Sequence, residues 1–335
     1  MKVKTSAPTR IDLAGGTLDI YPLYIFLGGG TTVNLAINLR SYVEIEERDD
    51  DKILINSTDL NEKLEAKNIE TLKPGGPLDL IARAIKFYHP KTGLTVMTKN
   101  TAPRGSGLGA SSSLLMALSA ALNKVADTYA DLDELIHWGA NIEARSLKIP
   151  TGKQDYYAAV YGGLNAIQFH EKGVEFIKVY KDEKDLGFLS DHFILSFTGI
   201  SHFSGTNNWN MMKRFIDGDP QTVRNLHLIK ETAVKMEEAL LSRDIEKIAS
   251  VLKEEWENRK GLAEGVSTPE TEKIMASAHK AGAIASKLCG AGGGGCMITI
   301  ADPEKREQVC AALLEAGAEI LDFKADTTGI KLEAI

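Results

Sequence analysis

Between positions 103 and 113 the chain reads Pro-Arg-Gly-Ser-Gly-Leu-Gly-Ala-Ser-Ser-Ser, and an amphipathic stretch follows at once. Glycines at alternate positions, Gly105, Gly107 and Gly109, let the backbone pass close to a partner and turn N–H groups inward. The stretch beyond, with Leu114, Leu118, Leu122 and Val125 on one face, predicts a helix. Its N-terminus adds unpaired N–H donors and partial positive charge. A glycine loop feeding a helix N-terminus is an anion site suited to a triphosphate. The serines supply hydroxyls that can reach phosphate oxygen or Mg²⁺. On the glycines alone, a flexible loop with a serine cap explains the segment equally well. It is not a Walker A loop, because no Gly-Lys-Ser/Thr ends it. Nor is it a dinucleotide fingerprint, because the glycine spacing differs and no βαβ unit surrounds it.

A second glycine run, Gly290-Ala291-Gly292-Gly293-Gly294-Gly295-Cys296, follows an apolar strand pattern. So many glycines cost backbone entropy inside a strand, which suits a tight turn against another backbone or a ligand. A plain hairpin turn is the alternative. Strands are expected over 31–48, 52–56 and 94–98, with a helix over 76–88 between the last two. Further helices are expected over 131–147 and across most of 205–283. A strand pair over 163–170 and 174–180, a strand over 193–198, strands around the second glycine run, a helix over 304–316 and two closing strands complete the pattern. Strands come first and helices later, with no regular βαβ alternation. The class is therefore α+β, with a soft boundary near 190 separating domains 1–190 and 191–335.

Three carboxylates and one arginine stand out. Glu143 falls on the stripe Leu132, Ile136, Ala140 and Leu147 of its helix, and a buried carboxylate needs a partner cation or metal. Mg²⁺ shared with phosphate oxygens would satisfy it; an ion pair with Arg145 or Lys148 is the rival. Asp155 sits in the shaped turn Ile149-Pro150-Thr151-Gly152-Lys153-Gln154-Asp155, where it can face a cleft and accept a hydroxyl proton or merely cap the next helix. Arg10 and Asp19 flank Gly15-Gly16-Thr17. Arg10 can steady a carboxylate or a transferring phosphoryl group, and Asp19 can accept from sugar hydroxyls. Each alone is more often a surface ion pair of little consequence.

The chain has 335 residues and a formal net charge of −7, so no basic field is available for a nucleic acid backbone. No apolar stretch is long enough to cross a membrane, and the first residues lack a signal peptide's apolar core. Cys289, Cys296 and Cys310 have no zinc-like spacing and suit a reducing compartment, so cytoplasm is the expected location.

Taken together, the segments resemble the GHMP kinases. Ala7-Pro8-Thr9-Arg10 with Ala14-Gly15-Gly16-Thr17-Leu18-Asp19 matches their first motif. Pro103 with Gly107-Leu108-Gly109-Ala110-Ser111-Ser112-Ser113 matches the second, and the run 290–296 the third, in the family's order. The resemblance implies a ribosomal S5 domain 2-like N-terminal domain, a ferredoxin-like C-terminal domain and ATP between them. It implies ATP contacts from Pro103, Gly105, Ser106, Gly107, Leu108, Gly109, Ala110, Ser111 and Ser112. It implies Asp155 as the base, helped by Arg10 or Lys153, and Mg²⁺ on Glu143 and Ser111. Ala110 replaces the usual first serine, which leaves Ser111 and Ser112 both open as the metal serine. Gly16, Thr17, Asp19, Gly292 and Gly293 are the expected substrate contacts.

Within the family, Gly152-Lys153-Gln154-Asp155-Tyr156-Tyr157-Ala158-Ala159 is most similar to heptose kinases, with Tyr156 where they carry glutamine. His202 stands where arginine is common in a loop suited to a sugar phosphate, and histidine grips phosphate less well. The implied reaction is ATP-dependent phosphorylation of a heptose-type or galactose-type sugar or sugar phosphate, at the anomeric hydroxyl. A mevalonate-type kinase and a non-catalytic ligand sensor remain as alternatives, and a homodimer is compatible with the sequence.

Overall fold

The structure, a computed structural model, describes residues 1–180, 183–201 and 204–334. His202, and with it the phosphate-loop comparison, lies outside the described residues. Strands are numbered in chain order: β1 (Lys2–Ala14), β2 (Gly30–Arg48), β3 (Ile53–Ser57), β4 (Glu62–Ala66), β5 (Gly93–Asn100), β6 (Leu164–His170), β7 (Gly173–Tyr180), β8 (Phe193–Phe197), β9 (Ala283–Leu288), β10 (Cys296–Ala301), β11 (Glu319–Leu321) and β12 (Lys331–Ala334). They form an eight-stranded sheet, β12-β1-β2-β5-β3-β4 with β6 on β2 and β7 on β6, and a four-stranded sheet, β11-β8-β10-β9. The expected α+β organisation is observed. The first sheet draws strands from both sides of position 190, because β12 runs antiparallel to β1.

The helix after the first glycine loop is Ala110–Val125, and 112–122 are buried around its whole circumference rather than on one face. It packs on β1 and β2 and against the helices Asp79–Tyr88, Leu132–Leu147 and Gln154–Tyr161. Alanines and serines allow that close approach. Hydrogen bonds stitch helix to sheet, among them Ser113 Oγ to Ala7 O (2.8 Å), Thr5 Oγ1 to Ala117 O (2.7 Å) and Ser41 Oγ to Ala110 O (3.3 Å). The 132–147 helix begins with a capping box from Asp131 and Glu134. Its buried face is Leu135, Ile136, Gly139, Ala140, Ile142 and Glu143; Leu132 is exposed. The expected stripe was therefore rotated at its start, though Glu143 does face inward.

Beyond residue 204, the helices Ser204–Ile216, Pro220–Ser242, Ile245–Lys260 and Pro269–Lys280 fill the region expected to be helical. A shared core joins the two sheets: Ile11, Leu13, Val33 and Leu35 of the first touch the same apolar cluster as Phe193, Leu195, Ile298 and the helical residues Met236 and Ile248. The end of β1 is thereby pressed against the β9–β10 turn. Register shifts at Pro8/Thr9 and Asp12/Ala14 bend β1 as it arrives.

The returning tail is anchored by Arg40. This buried guanidinium donates to Ser6 Oγ (3.1 Å), Ser6 O (2.8 Å) and Gly329 O (2.5 Å), and pairs with Asp326. Replacing Asp326 by Ala leaves Arg40 buried and uncompensated. We expect Asp326→Ala to cost roughly 3–5 kcal/mol in denaturant unfolding; a loss below about 1 kcal/mol would show the pair to be dispensable.

Candidate active site

Arg10 is the hub. Its Nε donates to Asp155 Oδ1 at 2.7 Å, and its Nη1 donates to Gly107 O at 2.6 Å and Cys289 O at 2.9 Å. Its backbone N–H donates to Leu108 O at 3.0 Å. One 6 % exposed side chain thus joins β1, the first glycine loop, the β9–β10 turn and the turn carrying Asp155. The glycines are explained by this crowding. A Cβ on Gly290 would stand 3.1 Å from Gly107 Cα, so the two loops pass backbone to backbone. Gly109, at φ +73°, would push a Cβ to 2.8 Å from the Asp155 carboxylate. The plain-hairpin and plain-loop alternatives do not account for these approaches.

Asp155 lies in the first turn of the short Gln154–Tyr161 helix, whose N-cap is Lys153. It does not cap that helix. Its Oδ1 is taken by Arg10, and its carboxylate lies against the glycine loop. Glu143 is 4 % exposed and has no ion pair among the described residues, so the Arg145 and Lys148 partners are not observed. Ser112 Oγ donates to it at 2.9 Å, and Tyr156 OH donates to the same Oε2. Burial pushes the Glu143 carboxyl up, against the hydrogen bonds from Ser111, Tyr156 and Ser112. Ser112 is buried on Glu143, whereas Ser111 is exposed at the mouth of the same cleft.

The cleft is lined by Arg10, Gly16, Thr17, Asp19, Gly105, Ser106, Gly107, Gly109, Ala110, Ser111, Ser112, Glu143 and Asp155, which brings most of the expected residues together. Pro103, Leu108, Lys153, Gly292 and Gly293 are not part of the lining. Leu108 is buried in the core. Gly292 and Gly293 instead pack on Val266, with Gly293 N–H donating to Val266 O at 2.7 Å; Gly290 and Ala291 supply that side of the cleft. Lys153 is half-buried, and burial pulls its ammonium down despite the nearby Asp19.

A second set of residues escaped the sequence reading. Lys287 Nζ donates to Asp12 Oδ2 (2.6 Å) and lies 3.7 Å from Glu255 Oε2. Glu255 pairs with Arg259 (Nε to Oε1, 2.8 Å), which donates on to Gly16 O (2.8 Å) and Thr17 Oγ1 (3.3 Å). All four charges are essentially inaccessible. Burial pushes the Asp12 carboxyl up, but Lys287, Arg259 and Arg10 together hold it below its ordinary value. One signal was legible: Glu255 and Arg259 continue the helical stripe of Ile248 and Leu252, which put two charges on a buried face.

Asp19 accepts from Gln154 N–H at 2.9 Å, and a Cβ on Gly152 would stand 2.2 Å from its Oδ2. That fit explains the glycine.

Residues 78–163 match the GHMP kinases N terminal domain, and residues 236–319 match the GHMP kinases C terminal domain. The chain is 31% identical to a D-glycero-alpha-D-manno-heptose 7-phosphate kinase of Campylobacter jejuni, over 98% of each chain. It is 27% identical to a mevalonate kinase of Pyrococcus abyssi, over 99% of this chain and 98% of the other. A D-glycero-D-manno-heptose 1-phosphate kinase of Bacteroides thetaiotaomicron superposes with a TM-score of 0.81 at 28% identity, covering 99% of each chain. The chain belongs to the GHMP kinases. It is an enzyme of the ATP-dependent small-molecule kinase type, with heptose-phosphate kinases nearer in sequence than mevalonate kinases.

Burial pushes the Asp19 carboxyl up to about 6, while the Gln154 backbone N–H pulls it the other way. A raised carboxyl binds its proton more tightly in the folded chain. The associated stability is present below the ordinary carboxylate range and is lost as pH rises through about 6. Asp19→Asn keeps an acceptor for Gln154 and cannot ionise. We expect it to gain on the wild type by up to roughly 3 kcal/mol between about pH 3 and about pH 7. Parallel stability curves over that range would contradict the shift.

Proposed function

We propose that this chain transfers the terminal phosphoryl group of ATP to a hydroxyl of a heptose-type sugar phosphate or a related sugar. The observation that carries the reading is the Arg10–Asp155 pair, set at 2.7 Å where the glycine loops meet. The triphosphate binds along 105–112, where glycine N–H groups and the N-terminus of the 110–125 helix supply donors. The sugar lies toward Gly16, Thr17 and Asp19. Its attacking oxygen meets the carboxylate of Asp155 against Gly109. As the new O–P bond forms and the bond to the departing ADP oxygen breaks, the hydroxyl proton passes to Asp155. Arg10 orients the carboxylate and faces the transferring group with fixed positive charge, so Arg10 rather than Lys153 takes that role.

Glu143 fits a Mg²⁺ site. It is buried without a cationic partner among the described residues, beside two serines and the phosphate loop. Mg²⁺ keeps most of its ligands as water and phosphate oxygens, so one protein carboxylate suffices. When bound, the ion neutralises phosphate charge and aligns the triphosphate. Glu143 and Ser111 would hold it, with Ser112 fixing the Glu143 carboxylate.

A coupled assay of ADP release across heptoses, hexoses, their phosphates and mevalonate tests the substrate class. Transfer to a sugar or sugar phosphate is expected, with the product's phosphate located by NMR; turnover of mevalonate alone would overturn the reading. Asp155→Asn is expected to lower kcat by about 10² to 10⁴ with ATP binding retained. A loss of only a few-fold would remove Asp155 as the base. Glu143→Gln is expected to raise the Mg²⁺ concentration for half-maximal rate by roughly tenfold or more, and an unchanged Mg²⁺ dependence would exclude it from the metal site.

A further inference from the structure

The side chain of Gln154 has no part in the roles above, although it is 5 % exposed and lines the cleft. Its Oε1 lies 3.4 Å from Asn34 Nδ2, and the same Nδ2 lies 3.5 Å from the Gln154 backbone carbonyl. Asn34 and Asn165 are directly paired between β2 and β6. Asn165 Nδ2 donates to Asn34 Oδ1 at 3.1 Å and to Gly163 O at 3.2 Å.

The two ends of an amide have nearly the same shape, but a backbone carbonyl only accepts. Gly163 O therefore requires the nitrogen end of Asn165. Asn34 must then present its oxygen to Asn165 and its nitrogen to Gln154. The Gln154 backbone carbonyl makes the same demand of Asn34 independently. The consequence at the end of the relay is that Gln154 turns Oε1 toward Asn34 and Nε2 away from it. Nε2 donates to no described residue. It faces the cleft wall at Gly16, where an added Cβ would stand 3.2 Å away.

We propose that Gln154 is a specificity-determining residue that donates its Nε2–H to an oxygen of the acceptor sugar, and that Asn34 and Asn165 are positioning residues that fix its polarity. The inference deepens the kinase reading and rests on it. The neighbouring Asp12 and Asp19 are acceptors, and Asp12 Oδ1 has no hydrogen-bond partner. A sugar hydroxyl both donates and accepts, so one hydroxyl can satisfy a carboxylate and Nε2 together. A site built to hydrogen-bond a hydroxyl rejects analogues that lack it, because its own buried group is left unpaired.

The probe is D-glycero-D-manno-heptose 7-phosphate with its monodeoxy analogues, scored by steady-state rates and by calorimetry. Gln154→Met keeps the length and removes the donor. It is expected to raise the acceptor KM and Kd about tenfold, with kcat and the ATP KM within about threefold. The deoxy analogue lacking the contacted hydroxyl should be handled equally by wild type and variant. Gln154→Glu, nearly isosteric, turns the donor into an acceptor and is expected to lose at least as much. Asn165→Leu releases the polarity and should move the same two constants by a smaller factor. The proposal is overturned if Gln154→Met and Gln154→Glu both keep wild-type acceptor affinity, or if their loss is equal on every deoxy analogue. Melting curves identify a variant that fails to fold, and the other glutamine variant then decides. A wild-type chain that binds the probe without transferring phosphate overturns the kinase reading and leaves the Gln154 affinities readable.

Discussion

The site depends on one guanidinium. Arg10 holds Asp155 with Nε and two carbonyls from separate loops with Nη1. A lysine ammonium could not match this, because the planar fork of arginine directs its donors along fixed lines. The loops it joins are separated by well over a hundred residues of chain, and nothing local would align them. Burial strengthens each contact, since water no longer competes for the donors. The glycines follow from the same constraint. At 290 a side chain would crowd the Gly107 backbone, at 107 the φ of +67° disfavours any side chain, and at 109 a side chain would displace the carboxylate that Arg10 orients.

Behind this hub, Asp12, Lys287, Glu255 and Arg259 alternate in sign through the interior. Such an arrangement is a poor source of net stability, because stripping water from four charges offsets most of their attraction. What it does is constrain geometry. Arg259 reaches Gly16 O and Thr17 Oγ1, so the substrate wall is fixed from a helix of the second half of the chain. Lys287 ties the bent end of β1 to β9. Together with Arg10, these residues make the cleft a property of both sheets.

The two ends of the cleft differ in chemistry. Toward the glycine loop the lining is backbone N–H and serine hydroxyl, suited to phosphate oxygen. Toward Gly16 and Asp19 the polar side chains include the carboxylates of Asp12 and Asp19, the Gln154 amide, Thr17 and Arg259, suited to hydroxyls. Asp155 stands between the two. The proposed reaction follows that order along the cleft, with a triphosphate on one side and a polyol on the other.

Much of this was legible in the chain alone. The glycine spacing, the helix after it and the helical stretch past 205 are local patterns, set by backbone freedom and side-chain periodicity. Glu143 could be read as buried because it shares a helical face with Ile136 and Ala140. Asp155 and Arg10 drew notice only as residues beside turns, and their 2.7 Å contact spans positions too distant for any periodicity to connect. Lys287 sits in a strand whose last four residues, 285–288, are all buried, where no sequence period marks a charge as partnered. The relay from Asn165 through Asn34 to Gln154 depends on strand register, which is a property of pairing rather than of either strand. The sequence by itself determined which segments bend, coil or approach closely, because those are local steric facts. Only the tertiary structure decided which charges and amides face one another, because that depends on how two sheets share a core.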